Sequence, residues 1–385
     1  MSDDLDARVL RRLERLRAQG LERRCPLPSR TGVEYELAGR AVVGFCSNDY
    51  LGLAASSVAS DLPQETPFGA TASRLVCGDS EEHRALERAL ASLVGCEDAV
   101  LFSSGFAANV GALPALIEPD DHVFSDALNH ASMIDGLRLA RARVTITPHG
   151  ASPRDVRPSA PAVSWWITES VHSMAGDRVS IEALAQHLDH GGLVYLDEAH
   201  GLGLFAGGAG LARAHGITPT VVAGPLGKSF ACAGAFVASS RAVAELLRSA
   251  ARSFVFSTGL SPLLVEAIRH SLSRVTGPEG DQRRALLWDN IAHLGERLGL
   301  ADVPESPIIP IHVGDNRAAL RASELLFERG WHVQAIRPPT VPPDTARLRV
   351  SVSAAHSASH IDAFARDLRS VFSTLGLRAE LRRAS

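Results

Sequence analysis

The spacing of apolar residues along the chain predicts alternating helices and short strands. Leu5, Val9 and Leu13 recur at helical spacing among charged residues, so residues 3–20 are predicted to form an amphipathic helix. The apolar runs at 33–37 and 41–46 predict a hairpin. Further predicted helices are 80–94, 104–116, 130–141, 180–190 and 241–250. Further predicted strands are 99–102, 122–125, 143–147, 163–168, 193–196, 221–223 and 235–238.

This alternation predicts an α/β fold with a mostly parallel sheet and helices on both of its faces. A long helical region at 262–299 follows. A compact α+β unit closes the chain, with extended runs at 308–313, 331–336 and 347–352 and helices at 315–329 and from about 359. We therefore expect an N-terminal segment (1–50), a large domain (51–285) and a small C-terminal α+β domain (286–385).

Composition excludes several classes of protein. The chain has 385 residues, of which 45% are hydrophobic and 21% charged, as in an ordinary globular protein. The net charge of −4 offers no basic surface for nucleic acid. The five cysteines lack metal-ligand spacing and predict reduced thiols. With no signal peptide and no apolar run of membrane-spanning length, we expect a cytoplasmic protein that does not bind a membrane.

Lys228 is the only lysine among the 39 Lys and Arg residues. Arginine serves as a cation elsewhere, but a guanidinium stays protonated and forms no Schiff base, so a single lysine suggests a need for a primary amine. Lys228 follows the predicted strand 221–223 in a glycine-containing loop. A phosphate-binding P-loop is excluded because Val222 stands where its first glycine is required, and Pro225 removes a backbone donor.

Asp197 and His200 follow the predicted strand 193–196. One interpretation is that Asp197 holds a pyridinium nitrogen protonated while His200 reaches the same ring. A second is a metal site formed by Asp197, Glu198 and His200. A third is a loop whose polar side chains satisfy only backbone groups.

Other predicted strands also end in polar or small residues. Gly105 and Phe106 open a helix whose free N–H groups suit a phosphate. His130 and Ser173 follow two further strands. Because parallel strands end at one edge of a sheet, these residues are expected to meet. Together with Lys228 they match the parts of a pyridoxal 5'-phosphate (PLP) site.

At the level of motifs, the chain resembles the α-oxoamine synthases, which are fold-type-I PLP-dependent transferases. The matching segments run from about residue 20 to 370 and include 47–53, 104–109, 129–132, 169–177, 196–201 and 224–230. The resemblance implies a large PLP-binding domain, a smaller α+β domain and a homodimer. Segments 313–316 and 335–342 are most similar to the member that condenses L-alanine with a pimeloyl thioester of CoA or acyl carrier protein.

The resemblance also implies roles for individual residues. Lys228 forms the Schiff base and transfers the proton at the substrate α-carbon, and Asp197 pairs with the pyridine nitrogen. His130 stacks on the ring and His200 hydrogen-bonds its phenolic oxygen. The remaining cofactor contacts fall to Gly105, Phe106 and Ser173 and, across the dimer interface, to Ser257 and Thr258. The implied substrate contacts are Asn48, Thr340 and Arg349, and no metal is implied.

Two departures from the family pattern stand out. Pro225 replaces the usual phosphate-binding threonine, and Glu22 stands where an arginine near the substrate entrance is expected. Other hypotheses stay open at this point. They are the sister enzymes glycine C-acetyltransferase, 5-aminolevulinate synthase and serine palmitoyltransferase, a PLP-binding paralogue with little turnover, and a metal-dependent enzyme.

Overall fold

A computed structural model describes residues 2–19, 21–22, 25–55, 65–157, 164–338 and 340–377. Its helices are α1 (Ser2–Ala18), α2 (Glu81–Val94), α3 (Gly105–Leu116), α4 (Ala131–Ala140), α5 (Pro153–Val156), α6 (Ile181–Asp189), α7 (Leu211–Ala214), α8 (Arg241–Ala250), α9 (Arg252–Val255), α10 (Pro262–Thr276), α11 (Pro278–Leu298), α12 (Asn316–Glu328) and α13 (Ala358–Thr374). Its strands are β1 (Ser29–Thr31), β2 (Glu34–Leu37), β3 (Arg40–Gly44), β4 (Asp98–Phe102), β5 (His122–Asp126), β6 (Arg143–Thr147), β7 (Trp165–Glu169), β8 (Leu193–Asp197), β9 (Val221–Pro225), β10 (Ala235–Ser239), β11 (Ile308–Gly314), β12 (Trp331–His332), β13 (Gln334–Ile336) and β14 (Ala346–Ser351).

The central sheet has seven strands in the order β4-β10-β9-β8-β7-β5-β6. All neighbouring pairs are parallel except those of β10, which runs antiparallel to both β4 and β9. A short loop rather than a helix joins β9 to β10, and such a loop permits only antiparallel pairing. The prediction of a mostly parallel sheet is therefore confirmed.

Both faces of this sheet are covered, which explains its uniformly apolar strands. Val123 and Ile167 pack with helices α3, α4 and α8 on one face. Phe124 and Trp166, their neighbours in sequence, pack with α6 and α7 on the other face. Successive side chains of a strand point to opposite faces, so each strand contributes to two cores.

The C-terminal part contains a three-stranded antiparallel sheet, β11-β14-β13, flanked by helices. The predicted strand 331–336 is wrong as a single element, because it divides at Val333. Trp331–His332 pairs parallel with β3 in the N-terminal sheet, whereas Gln334–Ile336 pairs with β14. The local pattern of apolar residues predicts which residues are buried but not which strand they pair with, so the sequence does not indicate this division.

Three further differences concern the helices. The region 262–299 is two helices that meet at Gly277, and Pro278, which has no N–H, begins the second. Short helices α5, α7 and α9 were not predicted, and Gly20, the expected end of α1, lies outside the described residues.

The predicted domain boundaries stay predictions. No helix in the described residues is long and apolar enough to cross a membrane.

A buried ion-pair cluster ties α2 to the central sheet. Glu87, only 1% exposed, pairs with both terminal nitrogens of Arg74 and accepts from Arg248 at 3.2 Å. It also accepts from the backbone N–H of Leu101 in β4 at 2.9 Å. Burying these charges is favourable only while each keeps its partners.

We predict that Glu87→Gln lowers the free energy of unfolding by about 3 kcal/mol, because Arg74 and Arg248 lose their most deeply buried counter-charge and keep only the more exposed Asp79 and Asp98. The control is Glu81→Gln in the same helix, whose exposed pair with Arg88 contributes less than about 1 kcal/mol. Urea unfolding of both variants measures the difference. Equal destabilisation by the two substitutions would contradict the prediction.

Candidate active site

Eight of the twelve predicted site residues meet in one cavity at the carboxyl edge of the central sheet. The cavity has a volume of about 350 Å³. Loops after β4, β5, β7, β8 and β9 line it, so the prediction that these strand ends converge is confirmed. The predicted residues in its lining are Asn48, Gly105, Phe106, His130, Ser173, Asp197, His200 and Lys228.

Asp197 ends strand β8 with a carboxylate that is only 4% exposed. Its Oδ2 accepts from Asn109 Nδ2 at 2.8 Å, and its Oδ1 accepts from the Ala199 N–H at 2.9 Å. Asn109 cannot rotate freely, because its Oδ1 accepts from the Tyr195 hydroxyl at 2.8 Å and its Nδ2 also donates to Ser132 at 2.9 Å. The carboxylate therefore has a fixed orientation toward the cavity.

The same network determines the protonation of His130. The Ser132 N–H donates to His130 Nδ1 at 3.3 Å, so this nitrogen is an acceptor, and the Ser132 hydroxyl, which accepts from Asn109, lies 2.7 Å from it. Burial, with a smaller contribution from Lys228, lowers the pKa of His130. His130 is thus a neutral imidazole that carries its proton on Nε2.

A second network includes the cavity residues Asn48, Ser173 and His200. The Tyr50 hydroxyl is 2.6 Å from His200 Nδ1 and 3.1 Å from Asn48 Oδ1. Arg349 donates to Asn48 Oδ1 at 3.2 Å and, through Nε, to the Ser173 carbonyl at 2.7 Å. Burial raises the pKa of Tyr50 to about 12 and lowers that of His200 well below its ordinary value. Tyr50 therefore stays a hydroxyl and His200 a neutral ring.

Lys228 lies in the loop between β9 and β10, with its side chain at the cavity wall. Burial lowers the pKa of its amine, an effect that the carboxylates of Asp197 and Glu169 partly oppose. A lowered pKa increases the fraction of unprotonated amine, which is the nucleophilic form. The site thus contains a primary amine prepared to react with a carbonyl group.

Glu169 is a cavity residue that sequence reasoning missed. Its Oε2 accepts from the Ser173 N–H at 3.0 Å, while Oε1 is buried and has no hydrogen-bond partner among the described residues. Burial and the neighbouring Asp197 raise its pKa to about 8. Glu169 is therefore mostly protonated at neutral pH and can donate a proton into the cavity.

The N-terminus of helix α3 provides a site for an anion. Ser104 caps the helix by accepting from the Ala107 N–H at 3.1 Å. A Cβ at Gly105 would lie 2.7 Å from Cγ of Pro225, so only glycine fits here. Free N–H groups and the helix dipole favour a phosphate at such a position. Pro225 thus has a packing role beside this helix end.

Some predicted residues lie away from the cavity. Thr340 is exposed and not part of the lining, and Arg349 reaches the site only through Asn48 and Ser173. Ser257 and Thr258 line a separate small cavity. Glu22 pairs with Arg17 at 2.8 Å. The family-implied roles of all these residues stay predictions.

The alternative of a metal site at Asp197, Glu198 and His200 is not supported. The Glu198 carboxylate accepts from the N–H groups of Leu211 and Ala212 at 3.1 and 2.9 Å, at the start of helix α7. It therefore caps a helix. Within the described part of the chain, the metal-ligand geometry of these three residues is absent.

The residues that the sequence does not single out are recognisable only from their contacts in the folded chain. Asn109, Glu169 and Tyr50 occur inside the quoted motifs, but no spacing rule marks them. Tyr195 lies within an apolar strand, where its position predicts only a residue of the hydrophobic core. Their hydrogen bonds connect separate strands and helices, so only the folded chain reveals them.

We predict that Glu169→Gln changes the pH dependence of stability of the cofactor-free protein. Between pH 4.5 and 8 Glu169 has lost its proton in the unfolded chain but retains it in the folded protein. The free energy of unfolding therefore falls by up to about 1.4 kcal/mol for each unit by which the pH rises. The glutamine variant lacks this loss. Its advantage over wild type in urea unfolding should grow from pH 5.5 to 7.5.

The exposed Glu245→Gln in helix α8 is the control for this experiment. It should differ from wild type by the same amount at every pH. A constant difference for Glu169→Gln as well would show that its carboxyl group has an ordinary pKa.

Comparison with known proteins places the chain in a family. The model of the aminotransferase class I and II family matches residues 40–368. An 8-amino-7-oxononanoate synthase of Anaeromyxobacter sp. (strain Fw109-5) is 44% identical over 381 residues, covering 95% of this chain and 96% of that protein.

Solved structures agree with this assignment. A structure of SPT (serine palmitoyltransferase) with PLP as internal aldimine has a TM-score of 0.88 at 25% identity, covering 98% of this chain and 100% of that one. The 8-amino-7-oxononanoate synthase of Francisella tularensis has a TM-score of 0.73 at 26% identity, covering 87% of this chain and 99% of that one. The predicted fold-type-I architecture is confirmed. The chain belongs to the aminotransferase class I and II family and, within it, to the group of the 8-amino-7-oxononanoate synthases.

Proposed function

We propose that this protein condenses L-alanine with a pimeloyl thioester, releasing CO₂ and the thiol, to give 8-amino-7-oxononanoate in biotin biosynthesis. The observation that carries the proposal is the placement of the only lysine, Lys228, beside the buried carboxylate of Asp197 in one cavity. Full-length relatives that bear the name of this synthase support it.

The cavity suits PLP, the cofactor of this family. Its volume falls at the lower end of the range for small-molecule pockets. It combines a buried carboxylate, a primary amine and a helix N-terminus, which match the pyridine nitrogen, the aldehyde and the phosphate. Lys228, Asp197 and Gly105 would hold these three groups. When bound, PLP supplies an electron sink for negative charge at the substrate α-carbon.

Asp197 would keep a proton on the pyridine nitrogen, which the electron sink requires. The Asn109 amide donates to Asp197 Oδ2 and fixes the direction of the carboxylate. Tyr195 holds Asn109 in turn. Rigid support of this kind lets a buried charge act without reorganisation.

Lys228 would remove the proton from the α-carbon of L-alanine. Its lowered pKa increases the fraction of the free amine, which is the required base. Glu169 faces the same cavity and is mostly protonated at neutral pH, so its O–H would donate a hydrogen bond to a group bound there. His130, neutral and protonated on Nε2, would present a flat ring to the cofactor.

Asn48 and Arg349 would bind the carboxylate of the amino acid. Arg349 is only 6% exposed and already donates to Asn48 and to the Ser173 carbonyl, so its guanidinium is held in place. A fixed guanidinium suits two-point recognition of a carboxylate. Thr340, exposed in this chain, stays a proposed contact for the acyl substrate, carried by CoA or by an acyl carrier protein.

A homodimer would complete the site. Thr258 forms a β-bridge with Ser73, and Ser261 donates to the Phe68 carbonyl, so segments 68–76 and 256–261 adjoin. These segments carry the exposed apolar side chains of Phe68, Val76 and Phe256, which are 87%, 79% and 72% exposed. Isolated chains seldom expose so many large apolar groups together. We propose that a second copy covers them, and that the protein is cytoplasmic.

We predict that Lys228→Arg loses about a thousandfold or more in turnover, because guanidinium stays protonated and is no nucleophile toward the cofactor aldehyde. The absorption band of the Schiff base between Lys228 and the cofactor should also disappear. The matched control, Arg269→Lys on exposed helix surface, swaps the same two side chains and should behave as wild type. Turnover of Lys228→Arg within tenfold of wild type would refute the assignment.

A substrate panel tests the reaction itself. L-alanine, glycine and L-serine are each combined with pimeloyl, acetyl, succinyl and palmitoyl thioesters, and CO₂ release and product mass are measured. Alanine with a pimeloyl thioester should give the highest kcat/KM, with Asp197→Asn as the inactive control. Preference for another pair would indicate a sister enzyme, and no turnover a cofactor-binding paralogue.

Mixing two inactive variants tests whether the partner subunit completes the site. If Thr258 serves the partner's site, exchanging subunits between Lys228→Arg and Thr258→Glu produces heterodimers in which one of the two sites is intact. About a quarter of wild-type activity should return at equal mixing. If Thr258 serves its own subunit, no heterodimer contains an intact site, and the mixture stays inactive.

A further inference from the structure

A second cluster of polar residues lies at the same sheet edge, outside the lining of the cavity. Asp126 ends β5, His149 follows β6 and His172 follows β7, so three adjacent strands each supply one residue. One ligand atom from each of the three lies within 4.8 Å of the others. Asp177 adjoins them.

His172 is the feature that the catalytic site leaves unexplained. Its side chain is 1% exposed, and neither ring nitrogen has a hydrogen-bond partner in the described structure. Yet Nε2 is 3.7 Å from Asp126 Oδ2, and Nδ1 is 3.5 Å from Asp177 Oδ2. A buried imidazole without partners is costly, and a ligand bound between these groups would remove that cost.

His149 lies between the same two carboxylates as His172, but closer to them, and it is hydrogen-bonded to both. Its Nδ1 is 3.0 Å from Asp126 Oδ1, and its Nε2 is 3.1 Å from Asp177 Oδ2. The two rings are nearly perpendicular, with centroids 4.4 Å apart. Each imidazole therefore turns one nitrogen toward Asp126 and the other toward Asp177.

We propose that Asp126, His149 and His172 bind a divalent transition-metal ion of the zinc type, and that Asp177 orients both imidazoles. In a tetrahedral zinc site the ligand atoms lie about 3.3 Å apart, and the separations of 3.0 and 3.7 Å from Asp126 bracket that value. His149 Nδ1 and His172 Nε2 are the metal-facing nitrogens.

Asp177 then accepts from the other nitrogen of each ring, the arrangement in which a carboxylate fixes a metal-bound histidine. Two carboxylates also balance the charge of a divalent ion. Two imidazole nitrogens favour zinc over magnesium or calcium, which prefer oxygen ligands. A water would complete four-coordination at the side where His149 is 11% exposed.

The ion would stabilise loops that also form the active site. His130 lies four residues beyond Asp126, and Ser173 directly follows His172. Asp126 is already fixed, since it accepts from the N–H groups of Leu128 and Gly150 at 2.7 and 2.8 Å. The inference uses none of the residues assigned to catalysis and stands apart from the proposed reaction.

The test is metal binding by the full-length holoenzyme, stripped with a chelator and titrated with zinc chloride. We expect about one zinc per chain by elemental analysis and a rise in Tm of about 3 °C at saturating zinc. Magnesium at the same concentration should give no rise. His172→Phe, which keeps ring size and removes both nitrogens, should weaken zinc binding at least tenfold.

His215→Gln removes an exposed histidine and is the control for surface binding. It should keep wild-type affinity. Wild-type protein that holds no zinc and shows no shift would overturn the proposal, as would wild-type zinc affinity in His172→Phe. Because the wild-type measurement decides by itself, the proposal remains testable if His172→Phe does not fold.

Discussion

The structure depends on placing one carboxylate, that of Asp197, at the buried end of a covered strand. A buried carboxylate needs donors, and the chain supplies them from Asn109 in helix α3 and from the backbone at Ala199. Asn109 in turn depends on Tyr195, whose side chain also packs in the core between the sheet and α3. Packing and catalytic geometry are therefore joined through the same residues.

Desolvation then adjusts the charges around this carboxylate. Burial lowers the pKa of Lys228 and raises that of Glu169 to about 8, and both shifts favour the uncharged form of the group. The neutral forms that result are useful, because a free amine is a nucleophile and a base, and a protonated carboxyl is an acid. The low polarity of the cavity, which makes charges costly, therefore also makes the Lys228 amine and the Glu169 carboxyl group reactive.

The loop after β7 links two clusters at this edge. Ser173 lies in the cavity lining, where its N–H donates to Glu169, whereas the preceding residue, His172, turns toward Asp126 and Asp177. One loop therefore connects a cofactor cavity with a neighbouring group of imidazoles and carboxylates.

The sequence by itself determined the alternation of elements, the edge at which polar residues gather and the identity of Lys228 and Asp197. These follow from periodicities of two and 3.6, from the shared direction of parallel strands and from the rarity of lysine in this chain. Only the tertiary structure decided which side chains support Asp197, that Glu198 caps a helix and that strand 331–336 divides between two sheets. Those features depend on contacts between residues distant in sequence, such as Asn109 with Asp197, and on the burial that such contacts create. No local pattern encodes either, because a hydrogen-bond partner and a desolvated environment exist only after the strands have assembled.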